Sequence, residues 1–188
     1  MSKKIAVLFP GIGYTCDKPL LYYAGKIAMK AGYELMPVRY GNFPSGVKGN
    51  REKMEQSFYM ALQQSEEILQ DVDWASYDDV LFISKSVGTI VAASYMQQHK
   101  VKGRSISFTP LADTFRFAAG DGIMFHGTAD PWAEDTEAIK AACEKAGQPL
   151  YLTEGANHSL ETGDVLTDLQ NIQQVMEIVA AYINTVGD

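Results

Sequence analysis

Six short runs rich in Val, Ile, Leu, Phe and Tyr recur along the chain: KIAVLF (4–9), YELMPVRY (33–40), DDVLFIS (78–84), GRSISFT (103–109), GIMFHG (122–127) and PLYLTE (149–154). Continuous apolar runs of this length are the pattern of strands buried on both faces of a parallel sheet. Between them the apolar spacing changes to the helical period. Leu20, Leu21, Ala24, Ile27, Ala28 and Ala31 form one stripe, closed by Gly32 as a C-terminal cap. Met54, Phe58, Ala61, Leu62, Ile68 and Leu69 predict a second helix, and Ile90, Val91, Ser94 and Tyr95 a third. Ile139, Ala142, Cys143 and Ala146, ended by Gly147, predict a fourth, and Leu166, Leu169, Ile172, Met176, Val179 and Ile183 a fifth. Strict alternation of strand and helix implies a three-layer α/β/α sandwich with right-handed crossovers and a mostly parallel six-stranded sheet. Between strands four and five, PLADTFRFAAGD is too short and glycine-terminated for a crossover helix, so a loop or single turn is expected there.

Composition narrows the class. The 188 residues are 46% hydrophobic and 21% charged, ordinary material for a single domain over 1–188. A net charge of −7 and a pI near 5.0, without a Lys/Arg cluster, argue against nucleic acid as a partner. The apolar run after Lys3 and Lys4 stops at Pro10 and Gly11, too short for a signal or membrane segment, so it reads as the first strand of a cytoplasmic protein. Cys16 and Cys143 lack metal-ligand spacing and are expected to be free thiols. The stripe of the last helix fits packing on the sheet and packing on a neighbouring copy equally, and leaves oligomeric state open.

Ligands of doubly wound sheets bind beyond the carboxyl ends of the strands, where the strand order reverses. At the first such exit, FPGIGYTCDKP, Gly11 and Gly13 leave the backbone N–H groups around Ile12 open to an anion or a developing oxyanion, or simply make a tight turn. A dinucleotide fingerprint is weak here, because Tyr14, Thr15 and Cys16 stand where a third glycine is needed. At the third exit, Ser84-Lys85-Ser86-Val87-Gly88 has the spacing of a nucleophile elbow, with Ser84 as the first small residue. Taken alone, Ser86 reads as a helix N-cap. Lys85 is expected to be solvated. Asp130 follows the fifth strand, where it suits a cap or an Asx turn. His158 follows the sixth strand in a turn-rich loop. Of the three histidines, His99 ends a helix and His126 ends a strand, so His158 is the one on a loop at the expected rim.

Ser86, Asp130 and His158 thus follow strands three, five and six. A hydroxyl nucleophile needs a base, and the base needs a carboxylate to fix its tautomer. The order Ser, Asp, His is that of the α/β-hydrolase triad. With VLFPGIGYT, ISKSVGT, HGTADPW and GANHSLE in family order, the chain resembles the α/β-hydrolases, especially small single-domain members similar to dienelactone hydrolase. The resemblance implies strand order 2-1-3-4-5-6 in a minimal fold without a lid domain, Ser86 as nucleophile, His158 as base and Asp130 as its orienting carboxylate. It implies an oxyanion hole from the N–H groups of Val87 and Ile12. Apolar residues near the exits, Tyr14, Leu111, Phe115, Phe117 and Trp132, are candidates to line a substrate pocket or to pack in the core. Two strands common in the family are missing, Ser84 replaces the first elbow glycine, and dienelactone hydrolases use cysteine, so that specific activity does not carry over. The expected activity is cleavage of a small-molecule ester without metal or organic cofactor. A nucleotide-binding module of Rossmann or flavodoxin type, with Arg39 meeting a second phosphate, and a non-catalytic hydrolase-like scaffold are the rival readings.

Overall fold

The computed structural model describes residues 2–133 and 135–185. The strands are β1 (Lys4–Phe9), β2 (Tyr33–Pro37), β3 (Asp79–Lys85), β4 (Arg104–Phe108), β5 (Gly122–Gly127) and β6 (Leu150–Thr153). The helices are α1 (Pro19–Lys30), α2 (Arg51–Leu69), α3 (Val87–Gln98), α4 (Thr136–Ala146) and α5 (Val165–Asn184). The sheet order is β2-β1-β3-β4-β5-β6, as the resemblance implies, and all five pairings are parallel. Because β1 neighbours both β2 and β3, the strand order reverses at β1, and the exits of β1 and β3 lie side by side.

Side-chain alternation along each strand assigns the two layers. Leu8, Leu81, Ile83, Ile106, Phe108, Ile123 and Phe125 face α1 and α5, where they join Leu20, Leu21, Ala24, Val175 and Val179 in one core. Ile5, Val7, Phe9, Val80 and Phe82 face the other way, against Ala61 and Leu69 of α2 and Val91, Ala92 and Tyr95 of α3. Met124 of β5 lies under Ile139 and Cys143 of α4. β4 is the exception: on the face opposite Ile106 and Phe108 it carries Ser105 and Ser107. The β4 to β5 connection holds only a 3-10 turn at Ala112–Arg116, as expected from its length, and no crossover helix covers that face.

Three expectations are corrected. β2 ends at Pro37 rather than residue 40, although Val38 N–H still donates to Leu8 O at 2.9 Å. Pro37 has no N–H to give the ladder, and β2 is an edge strand, where such a residue ends the regular pairing. The buried seam of α2 is Ser57, Ala61, Ser65 and Leu69, and Ile68 is exposed. Both serines satisfy their hydroxyls on their own helix, Ser57 to Lys53 O and Ser65 to Ala61 O, each at 2.7 Å, so burial leaves no orphaned group. In α5, Val175, Val179 and Ile183 are buried, but Leu166 and Leu169 stay exposed. No described helix is long and apolar enough to cross a membrane.

Candidate active site

One residue separates β3 from α3, and it is Ser86, with φ 57° and ψ −127°. Side chains with a Cβ seldom adopt this conformation, and it persists only where surrounding bonds impose it. Here Ser86 N–H donates to Phe108 O at 3.0 Å, while the N–H and hydroxyl of Thr89 donate to Ser86 O at 2.8 and 2.6 Å. The first turn of α3 is pressed onto the exit of β1: a Cβ on Gly88 would lie 2.2 Å from Phe9 O and 2.5 Å from Pro10 O. Ser84 is buried, its hydroxyl 3.3 Å from Ile106 O and 3.4 Å from Ser107 Oγ.

A serine at a helix N-cap ordinarily turns its oxygen to the second or third N–H of the helix. Ser86 makes no such bond. Its Oγ lies instead 2.7 Å from Nε2 of His158. Nδ1 of His158 lies 2.7 Å from Oδ2 of Asp130, whose Oδ1 accepts the Trp132 N–H at 2.9 Å. The carboxylate holds the proton on Nδ1, which leaves Nε2 free to accept from the serine hydroxyl. The three residues sequence order placed after β3, β5 and β6 therefore meet in one hydrogen-bonded row. Gly127 makes the meeting feasible. A Cβ there would lie 2.3 Å from Ala156 O, so the glycine lets the His158 loop rest on the end of β5 beside the Asp130 turn. Asn157 Oδ1 accepts the N–H groups of Ser159 and Glu161, which closes that loop.

The groups are poised electrostatically. Burial lowers the pKa of His158, opposed by the hydrogen bond to Asp130 and aided by the charge of Lys85. Burial pushes the Asp130 carboxyl up, but the hydrogen bond and charge of His158 and the Trp132 N–H outweigh it and hold the group below the ordinary carboxylate value. His126 is fully buried with Nδ1 3.9 Å from Asp130 Oδ2, and burial lowers its pKa, keeping it neutral. The expectation that Lys85 is solvated is overturned: it is 2% exposed, its Nζ 4.8 Å from the centre of the Tyr14 ring. Burial brings its pKa down to about 7 against the pull of Asp130. A lysine at the end of an apolar strand fits both environments, and only the β1 loop above it, with Gly11 and Tyr14, decides.

At the β1 exit, Gly11 and Tyr14 exchange backbone hydrogen bonds of 3.0 and 3.4 Å, with Ile12 and Gly13 (φ 70°) at the corner. Tyr40 hydroxyl donates to Pro10 O and steadies this turn. Among the described residues neither Ile12 N–H nor Val87 N–H donates to a protein acceptor. The Ile12 side chain packs with Val87, Ile90, Leu111 and Trp132. Trp132 also stacks on the His158 ring, with centroids 5.5 Å apart. Tyr14 is elsewhere: it is buried in the core beneath α1, and its hydroxyl accepts the Leu20 N–H. Phe115 packs under α4. Phe117 stacks on Phe58 of α2, and Phe58 and Met54 complete the apolar cluster. Sequence reasoning placed those two in a helix stripe and missed that they join the cluster of Val87, Ile90 and Leu111. Cys16 and Cys143 are free, as expected, and both are buried. Among the described residues no group of three His, Cys, Asp or Glu side chains could hold a metal ion.

No protein-family model and no curated protein matches the sequence. Solved structures do match in fold. An α/β serine hydrolase homologue from Coxiella burnetii superposes with TM-score 0.67 at 16% identity, over 96% of this chain and 85% of that one. Est1E from Butyrivibrio proteoclasticus, solved with ferulic acid bound, gives 0.69 at 10% identity, over 97% and 88%. A lidless α/β serine hydrolase from Xanthomonas campestris gives 0.66 at 13% identity, over 100% and 86%.

Proposed function

We propose that this chain, which has the α/β-hydrolase fold, is a serine hydrolase cleaving a small or exposed acyl ester through an acyl-enzyme intermediate. The observation that carries the reading is the Ser86 hydroxyl, turned away from its helix and onto Nε2 of a histidine that a buried carboxylate orients. In the first half-reaction Ser86 Oγ attacks the ester carbonyl while His158 Nε2 takes its proton. The oxyanion faces the N–H groups of Val87 and Ile12, which have no competing acceptor. His158 then gives the proton to the leaving alkoxide. In the second half-reaction it draws a proton from water, whose oxygen attacks the acyl carbon, and returns it to Ser86. Asp130 stays ionised throughout and stabilises the imidazolium. Leu111 and Trp132, beside Val87 and His158, contact the substrate; Tyr14, in the core, does not.

The lidless relative and the esterases among the structural neighbours fit an exposed ester as substrate. A nucleotide-binding role has less support, because Arg39 is exposed and lies 3.5 Å from Asp17 rather than at the Gly11 turn. A fluorophosphonate probe is expected to label the protein, Ser86→Ala to abolish labelling, and His158→Ala to slow it by about a thousandfold or more. Undiminished labelling of Ser86→Ala would sink the assignment.

A further inference from the structure

Behind α3, on the face of β4 that no crossover helix covers, lies a cavity of about 400 Å³. None of Ser86, Asp130 and His158 lines it. At one end its wall holds the Thr89 to Thr114 hydroxyl contact at 2.7 Å, by the first turn of α3. From there it runs down the sheet, past Ser107 and Ser105, to Gly103 and Gly120, where β4 and β5 begin. The site proposed above stands at the opposite, carboxyl ends of these strands.

The lining combines an apolar body with placed polar groups. Phe82 of the sheet, Met96 of α3, Val101 and Phe117 supply the first. Ser84, Ser105, Ser107 and Gln148 supply the second. Gln148 is 4% exposed. Its Nε2 donates to Gly120 O at 3.2 Å and faces Ala119 O at 3.5 Å, and its Oε1 has no partner. Turning the amide over would set Oε1 against two carbonyls, so the orientation is fixed, and Oε1 is closed off from the cavity as well as from solvent. Among the described residues the Ser105 hydroxyl makes no hydrogen bond, and it is the polar group left to meet a ligand. Gly122 lets the Ser105 and Gln148 side chains close up against β5, where a Cβ would meet Ser105 Oγ at 2.2 Å and Gln148 Nε2 at 2.7 Å. Lys102, exposed at the mouth, is the sole ionisable residue in the lining.

We propose that this cavity is a second, non-catalytic binding site for a compact uncharged molecule with an apolar ring and a hydrogen-bond donor, the chemistry of an aryl alcohol. The volume is in the range of small-molecule sites, and a mostly apolar wall with few convergent polar groups is their usual construction. A charged ligand finds no buried partner to offset its desolvation. The hydroxyl of an aryl alcohol supplies a donor and an acceptor for the Ser105 hydroxyl on the wall.

Amide chemical shifts during titration with benzyl alcohol test the site, with toluene and glucose as probes lacking the donor and the ring. Saturable shifts at Ala93, Ser105, Ser107 and Gly120 are expected with benzyl alcohol, about tenfold weaker binding with toluene, and none with glucose. Ala93→Phe, on the cavity wall of α3, is expected to abolish binding. Ser105→Ala is expected to weaken benzyl alcohol about tenfold and leave toluene unchanged. Unaltered fluorophosphonate labelling establishes that each variant is folded, and if Ala93→Phe does not fold, Ser105→Ala decides. Equal affinity for toluene, retention in Ala93→Phe, or no saturation with benzyl alcohol overturns the proposal. So does a wild-type dimer that Ala93→Phe converts to monomer, which would mean that a second copy fills the cavity.

Discussion

Lys85 precedes Ser86 directly, and its ammonium sits under the β1 loop rather than in water. The groups acting on it are Asp130 and Glu161, which favour the charged form, and Lys18, which opposes it. Its own charge acts on His158 by disfavouring the imidazolium. With burial working in the same direction, the acid limb of kcat/KM for p-nitrophenyl acetate is expected below the ordinary histidine value of about 6.5. Lys85→Met removes one cause of the depression, so its limb is expected to move to higher pH with the alkaline plateau unchanged. A limb that stays in place would show that Lys85 does not tune the base. None of this was legible from Ser84-Lys85-Ser86-Val87-Gly88, because a strand's sequence does not say which of its two faces a given exit residue meets. The hydrogen-bonded row of Ser86, His158 and Asp130 was foreshadowed, since three residue types in that order at three strand exits resemble one known arrangement.

The elements were legible where burial is complete and ambiguous where it is partial. β1 and β3, buried on both faces, are unbroken apolar runs, and the structure places them within a residue of the expected bounds. α2 was harder, because its buried serines bond to their own helix and leave no apolar signature. One tight joint between elements is Gly88 against the backbone of Phe9 and Pro10. A methyl group there cannot be accommodated by a side-chain rotation, since the atoms it meets are carbonyls. Gly88→Ala is therefore expected to cost about 3 kcal/mol or more in urea unfolding, and to reduce activity even where the protein remains folded, by moving Val87 N–H away from the β1 turn. Retention of both stability and activity would mean that the two loops are not in contact.

At the scale of the whole molecule the buried ionisable groups set how stability depends on pH. His126 and His158 have pKa values below 6.5 in the folded state, so unfolding takes up protons as pH falls through that value, and stability drops on acidification. Lys85, at about 7 folded against 10.5 for the free side chain, makes unfolding take up a proton between those values, so stability rises with pH across that window. Tyr14 and Tyr33, raised from 10.0 to about 12, contribute stability that is lost as pH climbs through that interval. The maximum in Tm is thus expected near pH 9 to 10, above the usual range of about 5 to 8, and Lys85→Met is expected to flatten the rise between 7 and 10. A maximum at pH 6 in the wild type would contradict the burial of Lys85. The two thiols have a practical consequence of another kind. Cys16 and Cys143 are 6% and 1% exposed, with pKa values raised by burial to about 11 and about 12, so at neutral pH neither offers a thiolate to an alkylating reagent. The native protein should stay unmodified by maleimide until it unfolds, and a cysteine introduced on its surface can carry a fluorophore or spin label without first removing the natural pair.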